Sequence, residues 1–281
     1  MILNWCKHFS IKENSGKMNN VKVIILAAGR GSRMKDLTLH MPKCLLKFNG
    51  ETILETQINL YRQMGIQNIV VVKGYLEHLI KFNGLKYYIA PEGFNMLYSL
   101  FCAEPELNGE IIISYGDIIF EEYVVSKILS DNHDMSVVVD IQWESYFRAR
   151  FGNPYLEAES LIFSSNNQII EIGKPHPLPE ETQAQYIGLI KLSENGCSIF
   201  RKIYHLARMS YSGKPWQRAT VFERAYMTDM LQAVIDSGYK IYGVPIYHGW
   251  LEFDTTNDYK NYLEWKETGK LFSFYKASHS K

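Results

Sequence analysis

The chain has 281 residues, enough for one large α/β domain or two small ones, and its hydrophobic fraction of 46% predicts a sizeable core. Lys and Arg number 30, and so do Asp and Glu, which gives a formal net charge of zero. A neutral chain has no general field to attract nucleic acid or an anionic membrane, so we expect small-molecule ligands instead.

The sequence also indicates where the protein works. Its four cysteines have no metal-ligand spacing, and no apolar run approaches the roughly 20 residues that cross a bilayer. The first 20 residues lack the hydrophobic centre of a signal peptide. We therefore expect a cytoplasmic protein without a membrane span, in which residues 1–20 form a polar N-terminal extension.

The first half of the chain, residues 21–140, alternates apolar runs with helical patterns. This alternation predicts a parallel sheet that helices cover on both faces. The predicted strands are 22–26, 68–73, 86–89, 110–114 and 135–140, and the predicted helices are 53–64 and 122–129.

The second half, residues 141–268, has a different pattern. Residues 160–163 and 168–172 predict a β-hairpin, and the three prolines within 175–179 predict a loop. The remaining predicted elements are strands 186–192 and 240–245 and helices 194–207, 220–237 and 257–268. We expect both halves to share one continuous sheet, with residues 269–281 as a C-terminal tail.

A glycine-rich segment follows the first predicted strand, at the end where open α/β sheets bind ligands. Small residues there let backbone N–H groups approach an anion closely, which predicts a phosphate site rather than a simple tight turn. The residues assigned to nucleotide binding are Leu26, Ala27, Ala28, Gly29, Gly31 and Ser32. Arg33 and Lys43 add positive charge beside the phosphates.

Acidic residues follow two further apolar segments. Asp117 comes directly after the strand 110–114, and Glu252 and Asp254 stand two residues apart in an extended segment. Together they predict a Mg²⁺ site, since Mg²⁺ prefers oxygen ligands and bridges substrate phosphates. Alternatively, Asp254 caps the last helix. Lys174, just before the proline-rich loop, is a candidate for the acceptor's phosphate or a solvent-exposed lysine.

These residues resemble the nucleotidyltransferases that make nucleoside-diphosphate-activated sugars, choline and related compounds. The resemblance covers residues 21–265 and is strongest at 26–33, Pro42-Lys43, Gly116-Asp117 and 252–255. It implies a Rossmann-like, mostly parallel mixed sheet in a single domain, with a nucleotide-binding half (21–140) and an acceptor-binding half (141–268). It further implies that Arg33 and Lys43 bind the triphosphate and that Asp117 and Asp254 bind the metal. Lys174 resembles the family's acceptor-side lysine.

Several segments resemble the phosphocholine and phosphonate cytidylyltransferases more than the sugar enzymes. They are Asn95 with Ser99-Leu100, the turn Gly74-Tyr75-Leu76, and Trp250 with Asp254-Thr255. The sugar branch typically has Glu-Lys-Pro where this chain has Gly173-Lys174-Pro175. The resemblance thus implies CTP as the donor, with Asn95 and Ser99 in the nucleotide site, and a sugar-1-phosphate nucleotidylyltransferase as the alternative.

The acceptor stays open among three compounds. Phosphocholine would need aromatic side chains around its ammonium, and the candidates are Trp143, Tyr155, Tyr186, Trp216 and Trp250. A phosphorylated amino acid would need an arginine for its carboxylate, and the candidates are Arg148, Arg150 and Arg218. Aminoethylphosphonate would need an acid near its ammonium, and the candidates are Glu157 and Glu159.

Two other classes fit the sequence less well. A non-catalytic nucleotide-binding regulatory protein is expected to have lost the acids or the loop cation, whereas this chain has both. A dinucleotide-dependent oxidoreductase needs Gly-x-Gly-x-x-Gly, and position 34 is Met.

Overall fold

A nine-stranded mixed sheet organises the computed structural model, which describes residues 20–276. The strand order is β5-β4-β1-β6-β11-β8-β12-β10-β9. The strands of this sheet are β1 (Val21–Ala27), β4 (Asn68–Lys73), β5 (Lys86–Ile89), β6 (Glu110–Tyr115), β8 (Met135–Asp140), β9 (Glu159–Phe163), β10 (Gln168–Pro175), β11 (Gln185–Leu192) and β12 (Ile241–Ile246). The predicted continuous α/β sheet is confirmed.

Strand direction changes in the middle of the sheet. Strands β5, β4, β1 and β6 are parallel neighbours, while β11 lies antiparallel between β6 and β8. The predicted hairpin is formed by β9 and β10, and β10 pairs antiparallel with β12. Strand β11 of the second half is therefore inserted between β6 and β8 of the first half, and the run of parallel neighbours ends there.

Helices cover both faces of the sheet, as predicted. They are α1 (Ile53–Gln63), α2 (Met96–Cys102), α3 (Glu122–Ser130), α4 (Trp143–Phe151), α5 (Glu194–Tyr211), α6 (Met227–Asp236) and α7 (Thr256–Thr268). One apolar core packs α1, α3, α4 and α7 against the sheet, and a second core packs α2, α5 and α6 against the opposite face. Burial on both faces explains why the central strands are continuous apolar runs.

Two small antiparallel pairs lie outside the main sheet. Strands β2 (Lys47–Phe48) and β3 (Glu51–Thr52) form one, and β7 (Ile118–Phe120) and β13 (Trp250–Glu252) form the other. The sequence did not predict either pair, nor helices α2 and α4.

Some predicted boundaries were wrong. The helix predicted over 220–237 begins at Met227, because the Asp229 carboxylate accepts a hydrogen bond from the Tyr226 N–H and so fixes the helix start there. Strand β10 continues into the proline-rich segment as far as Pro175, since an end position in a strand tolerates proline.

The described residues include little of the predicted N-terminal extension and most of the predicted C-terminal tail. The predicted N-terminal extension lies outside the described residues except for Asn20, and so do residues 277–281. Within the predicted C-terminal tail, Leu271, Phe274 and Tyr275 are buried against the core. Among residues 20–276, no helix has the length and apolar character needed to span a bilayer.

We expect Gly116→Ala to destabilise the fold at the carboxyl edge of the sheet. A Cβ at Gly116 would lie 2.7 Å from the Leu26 carbonyl oxygen and 2.9 Å from the Ala27 Cα, and these backbone atoms are held by the β1–β6 pairing. Such overpacking should lower the free energy of unfolding by about 2 kcal/mol, measured by urea denaturation.

The matched control is Gly29→Ala, where the new Cβ meets no atom within 4 Å. Its unfolding free energy should stay within about 0.5 kcal/mol of the parent chain. Equal losses of unfolding free energy in the two variants would show that the effect at position 116 does not come from contact with β1.

Candidate active site

The short β7–β13 pair brings the two predicted metal acids together. Asp117 lies between β6 and β7, and Glu252 of β13 pairs with Ile118 of β7. The next backbone contact is a 2.9 Å hydrogen bond from the Phe253 N–H to the Asp117 carbonyl oxygen. Asp254 follows at once and so lies at the same sheet edge as Asp117.

Two cations lie between and beside these acids. The Lys43 Nζ is 2.6 Å from Asp117 Oδ2 and 3.5 Å from Asp254 Oδ1, and Arg33 Nη1 is 2.7 Å from Asp254 Oδ2. Burial lowers the pKa of Lys43, but the charges of Asp117 and Asp254 outweigh it and raise the pKa above its ordinary value. Lys43 is therefore a fixed cation, whereas the Arg33 side chain is 61% exposed and free to reach a ligand.

A cavity of about 140 Å³ adjoins this cluster. Its walls combine the glycine-rich loop with the start of α2 and the end of β6. The lining residues are Leu26, Ala27, Ala28, Gly29, Gly31, Lys43, Cys44, Phe94, Asn95, Met96, Ser99, Gly116 and Asp117. Of the residues assigned to nucleotide binding, only Ser32 is not in this lining.

Helix α2 explains how Asn95 and Ser99 reach the cavity. Asn95 precedes the first residue of α2, and its Nδ2 donates to the Arg224 carbonyl oxygen at 2.5 Å. Ser99, one turn later, donates from its hydroxyl to the Asn95 carbonyl oxygen at 3.2 Å. Phe94, which the sequence did not single out, stacks on Tyr98 with 4.1 Å between ring centroids and adds an aromatic wall.

The pair Asp117 and Asp254 fits a hard divalent cation. Asp117 Oδ1 is buried and has no hydrogen-bond partner within the described residues, which leaves one carboxylate oxygen available. The alternative role of Asp254 as a helix cap is wrong, since the Thr255 side chain caps α7 by accepting from the Asp258 N–H. Carboxylate oxygens are the ligands that Mg²⁺ prefers.

Glu252, the third predicted metal acid, is held by an arginine. Among residues 20–276, no three His, Cys, Asp or Glu side chains are arranged to hold a metal. Glu252 instead accepts a 2.9 Å hydrogen bond from Arg150 Nη1. Burial raises the pKa of Glu252 to about 7, opposed by Arg150 and reinforced by Asp254 and Asp117.

Arg150 has a structural role rather than the predicted acceptor-binding one. Its side chain is fully buried, and it donates to both Asp258 carboxylate oxygens, at 2.9 Å from Nε and 3.1 Å from Nη2. Arg150 thus joins α4, β13 and the first turn of α7, and so supports the segment that carries Asp254.

Three other predicted site residues lie away from the acids. Arg148 is exposed and pairs with Glu144 one turn earlier on α4. Trp250 is buried in the core, where its Nε1 donates to Asp140 at 3.0 Å. Lys174 is exposed and pairs with Glu181 at 2.6 Å, so the structure does not bring it to the acidic cluster.

The aromatic candidates for a choline site are also mostly structural. Trp143 and Trp216 are buried in the two cores, and Tyr155 packs edge-on against Trp143. Only Tyr186 lies near the site, because its ring contacts Tyr115, two residues before Asp117.

Comparison with known proteins agrees with this geometry. The family model for the MobA-like NTP transferase domain matches residues 23–178. The chain belongs to this family.

Individual relatives extend the match. This MobA-like transferase is 34% identical over 260 residues to the CTP:phosphoglutamine cytidylyltransferase of Campylobacter jejuni, covering 87% of the chain and 100% of the relative. It is 31% identical over 156 residues to the choline-phosphate cytidylyltransferase of Streptococcus pneumoniae, covering 53% and 67%.

A solved structure shows the same fold. The inositol-1-phosphate CTP transferase from T. maritima superposes with a TM-score of 0.65 at 19% identity, over 89% of this chain and 97% of that one. The predicted nucleotidyltransferase fold, and the resemblance to the cytidylyltransferase branch, are confirmed.

Replacing Arg150 with Met should strongly destabilise the MobA-like transferase. The change leaves buried Asp258 and half-buried Glu252 without their counter-charge, which costs about 3–5 kcal/mol of unfolding free energy. Arg148→Met, two residues away on the same helix, removes only an exposed ion pair and should cost less than about 1 kcal/mol. Chemical denaturation of both variants measures the difference, and similar midpoints would contradict the structural role of Arg150.

Proposed function

We propose that this chain is a cytidylyltransferase that transfers CMP from CTP to the phosphate or phosphonate of a small non-sugar acceptor and releases pyrophosphate. The observation that carries the proposal is that Asp117 and Lys43 line one cavity with the glycine-rich loop, while Asp254 lies 3.5 Å from the Lys43 Nζ. The choice of CTP is supported by the relatives described above, which are cytidylyltransferases.

For the acceptor we propose a phosphorylated amino acid derivative. The phosphoglutamine enzyme matches 87% of this chain, whereas the choline-phosphate enzyme matches 53%. Similarity to the former therefore extends over most of both the nucleotide-binding and the acceptor-binding half. The buried positions of Trp143, Trp216 and Trp250 also argue against an aromatic cage for choline.

The reaction needs no general base. An acceptor phosphate oxygen, whose second pKa is about 6, is already an anion at neutral pH. It attacks the α-phosphorus of CTP in line, a new P–O bond forms, and the bond from the α-phosphorus to the bridging oxygen breaks as pyrophosphate leaves. The protein contributes position and charge neutralisation.

The site residues divide this work. The backbone N–H groups of the loop at Gly29 and Gly31 cradle the phosphates, and Arg33 and Lys43 offset the charge that develops on pyrophosphate. Asp117 and Asp254 would hold the divalent metal that this family generally uses. Bound there, Mg²⁺ would supply positive charge to the phosphate oxygens of donor and acceptor.

Asp117→Asn and Asp254→Asn should each lower the rate of pyrophosphate release by about 10³-fold or more, since each removes a charged metal ligand while keeping the side-chain shape. The unfolding midpoint should stay close to that of the parent chain. Asp236→Asn, an exposed change on α6, should leave the rate unaltered. A variant at 117 or 254 with near-normal activity would remove that residue from the proposed metal site.

A substrate panel tests the function itself. We expect Mg²⁺-dependent pyrophosphate release with CTP and phosphoglutamine, and little with UTP, dTTP, ATP or GTP. Phosphocholine, aminoethylphosphonate and hexose-1-phosphates serve as competing acceptors, and excess EDTA should stop the reaction. Pyrophosphate release only with a sugar phosphate, or no release with any of these acceptors, would refute the proposal.

A further inference from the structure

A second polar group lies in the acceptor half, at the β9–β10 hairpin. It consists of Glu159 at the start of β9 and Arg218 in the segment before α6. The Arg218 Nη2 donates to the carbonyl oxygens of Ile172 at 2.8 Å and Thr228 at 3.2 Å, and its Nε lies 3.4 Å from Asp229. These contacts fix the guanidinium, whose side chain is still 28% exposed.

Glu159 lacks a full counter-charge. Burial raises the pKa of its carboxyl group to about 7, although Arg218 lies close enough to lower it. Arg218 is shared with buried Asp229, and the charges of Asp229 and Glu252 further disfavour the Glu159 carboxylate. An added cation beside Glu159 would remove this penalty.

Tyr186 belongs to the same group, because its neighbour Gln185 accepts a hydrogen bond from the Glu159 N–H at 3.2 Å and donates to the Glu159 carbonyl oxygen at 2.6 Å. Strand β11 has a bulge between Tyr186 and Ile190, which turns this part of the strand out of regular register. The Tyr186 ring lies edge-on to Tyr115 at 5.7 Å, and its hydroxyl is buried without a hydrogen-bond partner in the part of the chain that is described. A buried hydroxyl of this kind calls for a hydrogen-bonding ligand.

We propose that Glu159 and Arg218 bind the ammonium and carboxylate groups of an α-amino acid acceptor, with Tyr186 Oη accepting a second ammonium hydrogen bond. This inference rests on the proposed function and names the residues that select its acceptor. The two charged groups of an α-amino acid sit on one carbon, so their counter-charges must be neighbours. Glu159 pairs with Pro175 across the β9–β10 hairpin, and Arg218 lies against the same stretch of β10, where it donates to the Ile172 carbonyl oxygen and would lie 2.7 Å from a Cβ at Gly173.

Other head groups match this arrangement less well. A quaternary ammonium has no N–H to donate to Tyr186, and an amine without a carboxylate leaves Arg218 unused. Glu159, Arg218 and Tyr186 are thus specificity residues for the acceptor, while the chemistry stays with the Asp117 cluster.

The test combines substrate analogues with conservative variants. Wild-type kcat/KM is measured with CTP and three acceptors: phosphoglutamine, its analogue without the α-ammonium, and its analogue without the α-carboxylate. Each lost group should lower kcat/KM by about 10²-fold, the usual value of a hydrogen-bonded charge. Glu159→Gln should lower kcat/KM for phosphoglutamine by the same factor but leave kcat/KM for the analogue without the ammonium unchanged.

Arg218→Lys keeps a positive charge beside Asp229. It should lower kcat/KM for phosphoglutamine but leave kcat/KM unchanged for the analogue that lacks the carboxylate. Tyr186→Phe should cost about 10-fold with phosphoglutamine alone. The KM for CTP should not change, and the exposed controls Glu180→Gln and Arg208→Lys should match wild type.

Two outcomes separate the inference from the proposed function. Equal losses on all three acceptors in Glu159→Gln, or turnover of phosphocholine in preference to phosphoglutamine, would overturn the assignment while CTP chemistry stands. No pyrophosphate release from CTP with any phosphorylated acceptor would overturn the proposed function and this assignment with it.

Discussion

The antiparallel pairing of β7 with β13 is the constraint on which the site depends. It joins the segment that follows β6 to the segment that follows β12, and its backbone contact from Phe253 to Asp117 sets Asp254 beside Asp117. A three-residue strand pair is too short to be stable alone. Buried Phe253 and the Arg150 contacts to Glu252 and Asp258 hold it in place.

Charge is the second constraint on the cluster. Two carboxylates forced together repel, and Lys43 offsets that repulsion by contacting both. Arg33 does the same for Asp254 from the solvent side. In the proposed function these cations are also the groups that bind phosphate oxygens, so a nucleotide and its metal would replace the existing contacts instead of adding unpaired charge.

Features that depend on the local residue pattern could be predicted from the sequence. Features that depend on contacts between distant residues could not. The apolar run of β1 and the small residues after it identified both strand and loop, because parallel strands are buried on both faces. The role of Arg150 had no local signal, since its partner Asp258 is 108 positions away. Helix α4, which carries Arg150, was missed for the same reason: its aromatic residues pack against distant elements such as Trp250 and Phe274.

The antiparallel strand β11 shapes the crevice that lies next to Asp117. Ligands bind where the order of an open sheet changes, because neighbouring connections diverge there and leave a crevice. In this chain that point lies between β1 and β6, since β4 and β5 extend the sheet on one side of β1 and β6 lies on the other, and the bulged start of β11 lies next to β6. Gly188 has a φ of +93°, and a Cβ there would lie 2.6 Å from the Tyr115 ring. The absent side chain lets Tyr115 and Tyr186 meet two residues before Asp117, so this crevice adjoins the cluster of Asp117, Asp254 and Lys43.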